Sequence, residues 1–303
     1  MISIIIANYN NERYIEDTLI SLKEQSYKNF EIIVVDDCST DKSPSIIKNF
    51  ISLYPHIDIK YIQNKKNIGA ANTRNVGIEF ASFEWISILD GDDIFHKDKL
   101  KKQVLEIQKN KNIVLIGTNL ITINSQGKKL NHYKYPSLSS QLKNNLFNFR
   151  KFPAHSSLMF KKDLFYEVGQ YDCFFEPSED FNLFCKLSSY GEIACIQDYL
   201  TFYRVHSKSI SFKSYNGYFQ PHFAICSILI SKNIKKSSVD VLKDVKETFD
   251  FEKFTKLMLN KSIRNIRSFS SLIYFLINVL IKIGLYKDER VRAVEVLESD
   301  YKQ

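Results

Sequence analysis

Ile86-Ser87-Ile88-Leu89-Asp90-Gly91-Asp92-Asp93 is the stretch on which the reading of this chain turns. A short β-rich run, opened by Trp85, the only tryptophan, ends in three carboxylates within four residues. Carboxylates crowded at a strand end repel one another and resist burial. A chain keeps them together where something positive sits, such as a metal ion or a metal-bound phosphate. In an extended segment Asp90 and Asp92, two residues apart, would point to the same side. Gly91 between them would let a ligand approach the backbone. The alternative is an acidic turn in which Asp93 caps the next helix.

The flanking sequence supplies the context. Residues 2–7 form a continuous β-branched run, typical of a central parallel strand covered on both faces. Tyr14, Ile15, Leu19 and Leu22 recur at helical spacing within 12–26. A second strand is expected over 30–35, a helix near 42–53, a strand near 57–62, a helix over 69–81 and a strand over 85–89. This alternation predicts βαβ units, hence an α/β fold with a mostly parallel, Rossmann-like sheet and helices on both faces. In such sheets ligands bind beyond the carboxyl ends of the strands. Asn8-Tyr9-Asn10, Asp36-Asp37 and Asp90-Gly91-Asp92-Asp93 all fall at those ends.

Further on, 97–109 reads as a lysine-rich amphipathic helix, 113–123 as a strand and Ser125-Gln126-Gly127-Lys128 as a hairpin turn. Residues 150–212 are mixed. There Ser178 could cap a helix whose first turn holds Glu179 and Asp180, and Tyr203-Arg204-Val205-His206 follows a strand.

From about 213 the chain reads as helices only. Residues 213–303 carry 16 basic and 10 acidic side chains, against 26 and 24 in residues 1–212. That basic balance predicts an anionic partner surface. No zinc-finger spacing or RNA-binding signature is present, so a membrane is expected rather than nucleic acid. The apolar run 272–285 is shorter than the about twenty residues needed to span a bilayer, and Asn278 and Lys282 interrupt it. Beside Lys253, Lys256, Lys261, Arg264 and Arg267 it fits an interfacial helix; a buried helix or a homodimer interface is the alternative. Five scattered cysteines predict a reducing compartment. The N-terminal run has no basic leader and reads as a strand rather than a signal peptide. A cytoplasmic location is expected, with peripheral contact to the inner face of the cell membrane.

Several motifs together resemble the glycosyltransferases of family 2, which have the GT-A fold. They are Ile2 to Asn10, Phe30 to Asp41, Asn67-Ile68-Gly69 with Ala71, Arg74-Asn75-Val76-Gly77, Leu89 to Asp93, Glu179-Asp180 and Tyr203 to His206. The resemblance covers residues 1–212 and leaves 213–303 as a helical extension. It implies a nucleotide-diphosphate sugar, most simply a UDP-sugar, lying across the strand ends. Ala7 and Tyr9 would flank the base and Asp37 would bond to it, with Arg74 and Arg204 near the nucleotide sugar. Asp90 would contact ribose or sugar. Asp92, with His206, would hold a divalent cation, Mn²⁺ or Mg²⁺. Asp180 matches the general base of an inverting reaction, with Glu179 as the fallback. The acceptor would be a saccharide or lipid-linked hydroxyl. Ala7 stands where Pro or Thr is usual, and the Gln-x-x-Arg-Trp motif of processive synthases is absent, so one sugar per encounter is expected. A sugar nucleotidyltransferase or dinucleotide oxidoreductase would need a glycine-rich loop after the first strand, and residues 8–13 contain no glycine. A binding protein that has kept the fold and lost the chemistry is the remaining alternative.

Overall fold

The computed structural model describes residues 1–207 and 209, apart from 148, 149, 176 and 177. The β-branched run becomes strand β1 (Ile2–Asn8), buried along nearly its whole length. β1 pairs in parallel with β2 (Phe30–Asp36) and with β4 (Trp85–Ile88), and β2 with β3 (Ile59–Gln63). Helices α1 (Ile15–Lys23), α2 (Ser43–Leu53) and α3 (Ala70–Glu79) make the crossovers. The register sets Asn8 opposite Asp36 and Asp36 opposite Gln63. The polar strand ends therefore line one edge, as the alternation predicts.

Period-two alternation decides which face each helix covers. Ile2, Ile4, Ile6, Ile32 and Val34 join one core with Ile15, Leu19 and Leu22 of α1, Ile47 and Phe50 of α2, and Leu100 and Ile107 of α4 (Lys99–Lys109). Ile5 and Val35 face the other way, toward α3. There a Cβ on Gly77 would lie 2.6 Å from Ile5 Cγ2 and 3.2 Å from Val35 Cγ2. α3 thus rests on the sheet through a glycine.

The second half of the sheet departs from the parallel expectation. The strand order is β3-β2-β1-β4-β8-β6-β9-β5, with β7 (Lys129–Tyr133) on β6 (Ile113–Ile123). β8 (Met159–Lys161) runs antiparallel to both β4 and β6. β9 (Glu192–Arg204) runs parallel to β6, and β5 (Ile94–Phe95) antiparallel to β9. β5 and β8 have two and three residues, too few to carry a period. α5 (Ser139–Phe147), α6 (Lys162–Glu167) and α7 (Glu179–Leu187) complete the described elements. Asp93 leads into β5 and caps no helix, so that alternative for the acidic turn falls; α4 begins after Asp98.

Among the described residues no helix is long and apolar enough to cross a membrane. The boundary expected near 212, the basic residues beyond it and the apolar run 272–285 lie outside the described residues.

Gly77→Ala should cost about 1–3 kcal/mol by overpacking α3 against β1 and β2. A chemical denaturation midpoint equal to that of the parent chain would show that α3 is not seated this tightly.

Candidate active site at the strand ends

The loops after β1 and β2 are tied together before any ligand is considered. Asn8 Nδ2 donates to Asp36 Oδ1 at 2.7 Å. Asn10, at φ 55°, accepts from the Thr40 amide at 2.8 Å through its side-chain oxygen. Asp37 is buried and accepts from Asn64 Nδ2 and the amides of Ile68 and Gly69 at 2.8–3.0 Å. Its carboxylate thereby holds the loop that feeds α3, where Gly69 sits at φ 85°. Ala7 is half-buried within β1, and Tyr9 stands 48% exposed just beyond it.

The acidic stretch does not stay extended. The Asp93 amide donates to the Asp90 carbonyl at 3.1 Å, closing a turn. Within this turn Asp90 and Asp92 take different partners. Asp90 Oδ1 accepts from Arg74 Nη2 at 2.8 Å, and Oδ2 accepts from Ser156 Oγ at 3.2 Å. Asp92 Oδ2 lies 2.9 Å from His206 Nε2. A Cβ on Gly91 would lie 2.7 Å from Asn11 Nδ2 and 3.2 Å from Asn8 Oδ1, so a side chain there would have to displace those amides. Asp93 is buried and accepts from the Arg204 amide at 2.7 Å. Burial, with Asp92 and Asp90 adding repulsion, pushes its carboxyl well above the usual range.

Arg74 connects this turn to α7. Its Nη1 donates to Glu179 Oε1 at 2.6 Å while Nη2 holds Asp90, and its side chain is 9% exposed. Expected beside the nucleotide, Arg74 instead spends both ends of its guanidinium on carboxylates of the protein. Burial opposes the charge on Arg74, but Asp90 and Glu179 outweigh it and raise the pKa further. Burial likewise opposes ionisation of Asp90, yet Arg74 holds it below its ordinary value. Asp180, next along α7, is pushed up to about 7 by burial and by the Glu179 charge. Ser178 occupies the N-cap position of α7, but its hydroxyl makes no capping bond.

A third group sits beneath these. The Tyr171 hydroxyl meets His155 Nε2 at 2.7 Å, and the Arg74 guanidinium lies 6.0 Å from the Tyr171 ring centre. Burial, then the Arg74 charge, pushes His155 down to about 3, so its imidazole is neutral. Sequence reasoning missed His155, Ser156 and Tyr171. They lie in the mixed stretch 150–212, and nothing in their spacing distinguishes them from core residues.

Arg204, expected near the nucleotide sugar, is held inside the protein. It is 1% exposed. Its Nε donates to the Asp92 carbonyl at 2.7 Å, Nη1 to the carbonyls of Asn124 and Ser125 at 3.3 Å, and Nη2 to Asp17 at 3.2 Å. Those donors are used within the protein.

Among the described residues no group of three or more histidine, cysteine or acidic side chains could hold a metal ion. Asp92 and His206 provide two donors, one hard oxygen and one imidazole nitrogen. Two protein donors suit a cation shared with substrate phosphates, and Mg²⁺ or Mn²⁺ is commonly held that way.

The family model for glycosyl transferase family 2 matches residues 3–169. The putative teichuronic acid biosynthesis glycosyltransferase TuaG of Bacillus subtilis is 40% identical over 104 residues, covering 34% of this chain and 40% of that protein. Among solved structures, S. aureus TarS 1-349 in complex with UDP-GlcNAc has a TM-score of 0.64 at 20% identity, covering 97% of this chain and 83% of that one. The mannosyltransferase PcManGT from Pyrobaculum calidifontis, in complex with GDP-Man and Mn²⁺, has a TM-score of 0.55 at 16% identity, covering 95% and 88%. These likenesses show the GT-A fold. With more than half its length matched by the family model and the acidic turn at the strand ends, the chain belongs to glycosyl transferase family 2.

Proposed function

We propose that this chain is an inverting, non-processive glycosyltransferase. It moves one sugar from a nucleotide-diphosphate sugar, with UDP as the nucleotide, to a hydroxyl of a saccharide or lipid-linked acceptor in surface polysaccharide or glycolipid synthesis. The observation that carries this reading is Arg74, whose two ion pairs tie the Asp90 turn to the Glu179-Asp180 end of α7. A donor-side carboxylate and the carboxylate next to Asp180 are thereby joined through one side chain. The TarS complex with UDP-GlcNAc supports the donor class, and the name of TuaG supports the pathway class. The basic balance of residues 213–303 supports peripheral contact with an anionic membrane.

Each residue then has a physical task. Tyr9, exposed beyond β1, offers an aromatic face to the base. Asp37 fixes the loop before α3 and so shapes the base end of the site. Asp90, anchored by Arg74 and Ser156, faces ribose or sugar hydroxyls. Asp92 and His206 would hold the divalent cation, which when bound stabilises negative charge on the departing diphosphate. Asp180 takes the proton of the acceptor hydroxyl as its oxygen bonds to the anomeric carbon. The electron pair of the breaking carbon–oxygen bond leaves with the diphosphate, and attack from the opposite face inverts the centre.

A thermal-shift screen of nucleotide sugars with Mn²⁺ tests the donor class: a UDP-sugar should raise the melting temperature most. Stabilisation by none would remove the reading. Asp92→Ala should weaken Mn²⁺-dependent donor binding at least tenfold by calorimetry, and an unchanged affinity would refute the metal assignment. Asp180→Asn should leave donor binding nearly intact and lower turnover by about 10²–10⁴. Because the base must be ionised, wild-type turnover should fall as pH drops through about 7. The same raised pKa makes the ionised carboxyl a destabilising group. Wild-type stability is thus lost as pH rises from about 4 through about 7. Asp180→Asn should therefore be more stable than the parent at pH 8, by up to about 4 kcal/mol, and level with it near pH 4. Equal stability at both pH values would show that Asp180 does not titrate in this way.

A further inference from the structure

We propose that Tyr14 and Arg204 are positioning residues that together seat the His206 imidazole against Asp92. The proposal rests on the reading of Asp92 and His206 as the cation-holding pair. Tyr14 immediately precedes α1 and is 9% exposed. Its ring centre lies 4.8 Å from that of His206 at an interplanar angle of 33°. The Arg204 guanidinium lies 4.7 Å from the same ring centre. One tyrosine ring therefore touches both the histidine and the arginine two residues before it.

The two contacts fix opposite sides of the pair. On the Asp92 side, Arg204 Nε grips the Asp92 carbonyl, and the Arg204 amide grips the neighbouring Asp93 carboxyl at 2.7 Å each. The turn cannot swing without breaking both. On the His206 side, the Val205 amide donates to the Ile123 carbonyl at 2.8 Å, and the His206 carbonyl accepts from the Ser209 amide at 3.0 Å. These hold the backbone of His206. Tyr14 lies against the imidazole and limits its side-chain torsions, and Asp92 contacts the ring at 2.9 Å. An exposed histidine at the end of a strand would lose rotamer entropy on binding a cation; one already seated has lost it on folding.

Charge pairing is a poor reason for Arg204 to be buried here. Its ion-pair partner, Asp17, is 56% exposed, and such a pair contributes little. The guanidinium is used as a rigid fork whose separate nitrogens reach three backbone carbonyls on two different turns, whereas an ammonium group would have to direct all its donors from one point. Two of those carbonyls, of Asn124 and Ser125, belong to the turn between β6 and β7, so the seat is braced from outside the β4 turn as well.

The test uses the full chain with Tyr14→Leu and Arg204→Lys. Two readouts separate positioning from general stability: the ¹⁵N resonance of His206 Nε2 in metal-free protein, and Mn²⁺ affinity in the presence of UDP. Both variants should keep the parent near-UV circular dichroism. Both should move the His206 resonance toward that of a solvent-exposed imidazole and weaken Mn²⁺ binding at least tenfold. If Arg204→Lys does not fold, Tyr14→Leu, which keeps an apolar side chain in place, decides the matter. An unmoved resonance in Tyr14→Leu, with Mn²⁺ affinity within twofold of the parent, overturns the proposal. If the parent binds no Mn²⁺ with UDP, the metal reading fails, and the resonance shift alone then decides whether the seat exists.

Discussion

A buried guanidinium between two carboxylates constrains everything at this strand edge. Arg74 is 9% exposed on its side chain, with Asp90 2.8 Å away on one side and Glu179 2.6 Å away on the other. Removing one partner of such a buried set costs about 3–5 kcal/mol, because a charge is left uncompensated. Arg74 thus faces two carboxylates, and Asp180 adds a third carboxyl beside Glu179. Arg74 keeps Asp90 ionised, but its attraction to Asp180 is too weak to offset burial and the Glu179 charge. Burial and the Glu179 charge thus raise the Asp180 pKa to about 7. A carboxyl in that range can accept a proton at neutral pH, as the proposed base would need to.

The turn at Asp90 explains why adjacent acids have separate roles. Had the segment stayed extended, Asp90 and Asp92 would share one side and compete for one cation. The bond from the Asp93 amide to the Asp90 carbonyl closes a turn instead. Asp90 goes to a cation the protein supplies, and Asp92 goes to His206. A side chain at Gly91 would press on the amides of Asn8 and Asn11, so the first strand's loop lies against the fourth strand's turn. Asp93 points inward, where its carboxyl joins the backbone of β9 to the turn.

Much of the fold was legible because β1, β2 and β4 are apolar on both faces and separated by helices of ordinary length. Those features need no knowledge of distant contacts. The second half was less legible for a physical reason: β5 and β8 are too short to show a period, and their pairing is decided by what lies beside them. The candidate site divides in the same way. Asp90, Asp92, Glu179 and Asp180 stand out in sequence because acids are conspicuous at strand ends and helix starts. Arg204 also stands out, but its burial and its bonds to backbone carbonyls are not visible in the sequence. Tyr14 read only as one of a series of helix-face residues. Its contact with His206 joins positions almost two hundred residues apart, which no local pattern encodes.

Strand direction is what delivers His206 to Asp92. β8 reverses direction relative to β4, and β6 reverses again relative to β8. Two reversals restore the original sense, and β9 runs parallel to β6. β9 therefore ends at the same edge as β4, where Arg204 and His206 emerge beside the acidic turn. A single reversal would have sent the end of β9 to the opposite edge, far from Asp92. The three residues of β8, with Met159 opposite Ser87 on one side and Ile116 on the other, thus set the direction of a thirteen-residue strand. The bond from the Asp90 amide to Ser156 Oγ at 3.2 Å shows how close the approach to β8 runs to the site it helps to assemble. Parity in the sheet, rather than proximity in the chain, brings the late histidine and the early acid together.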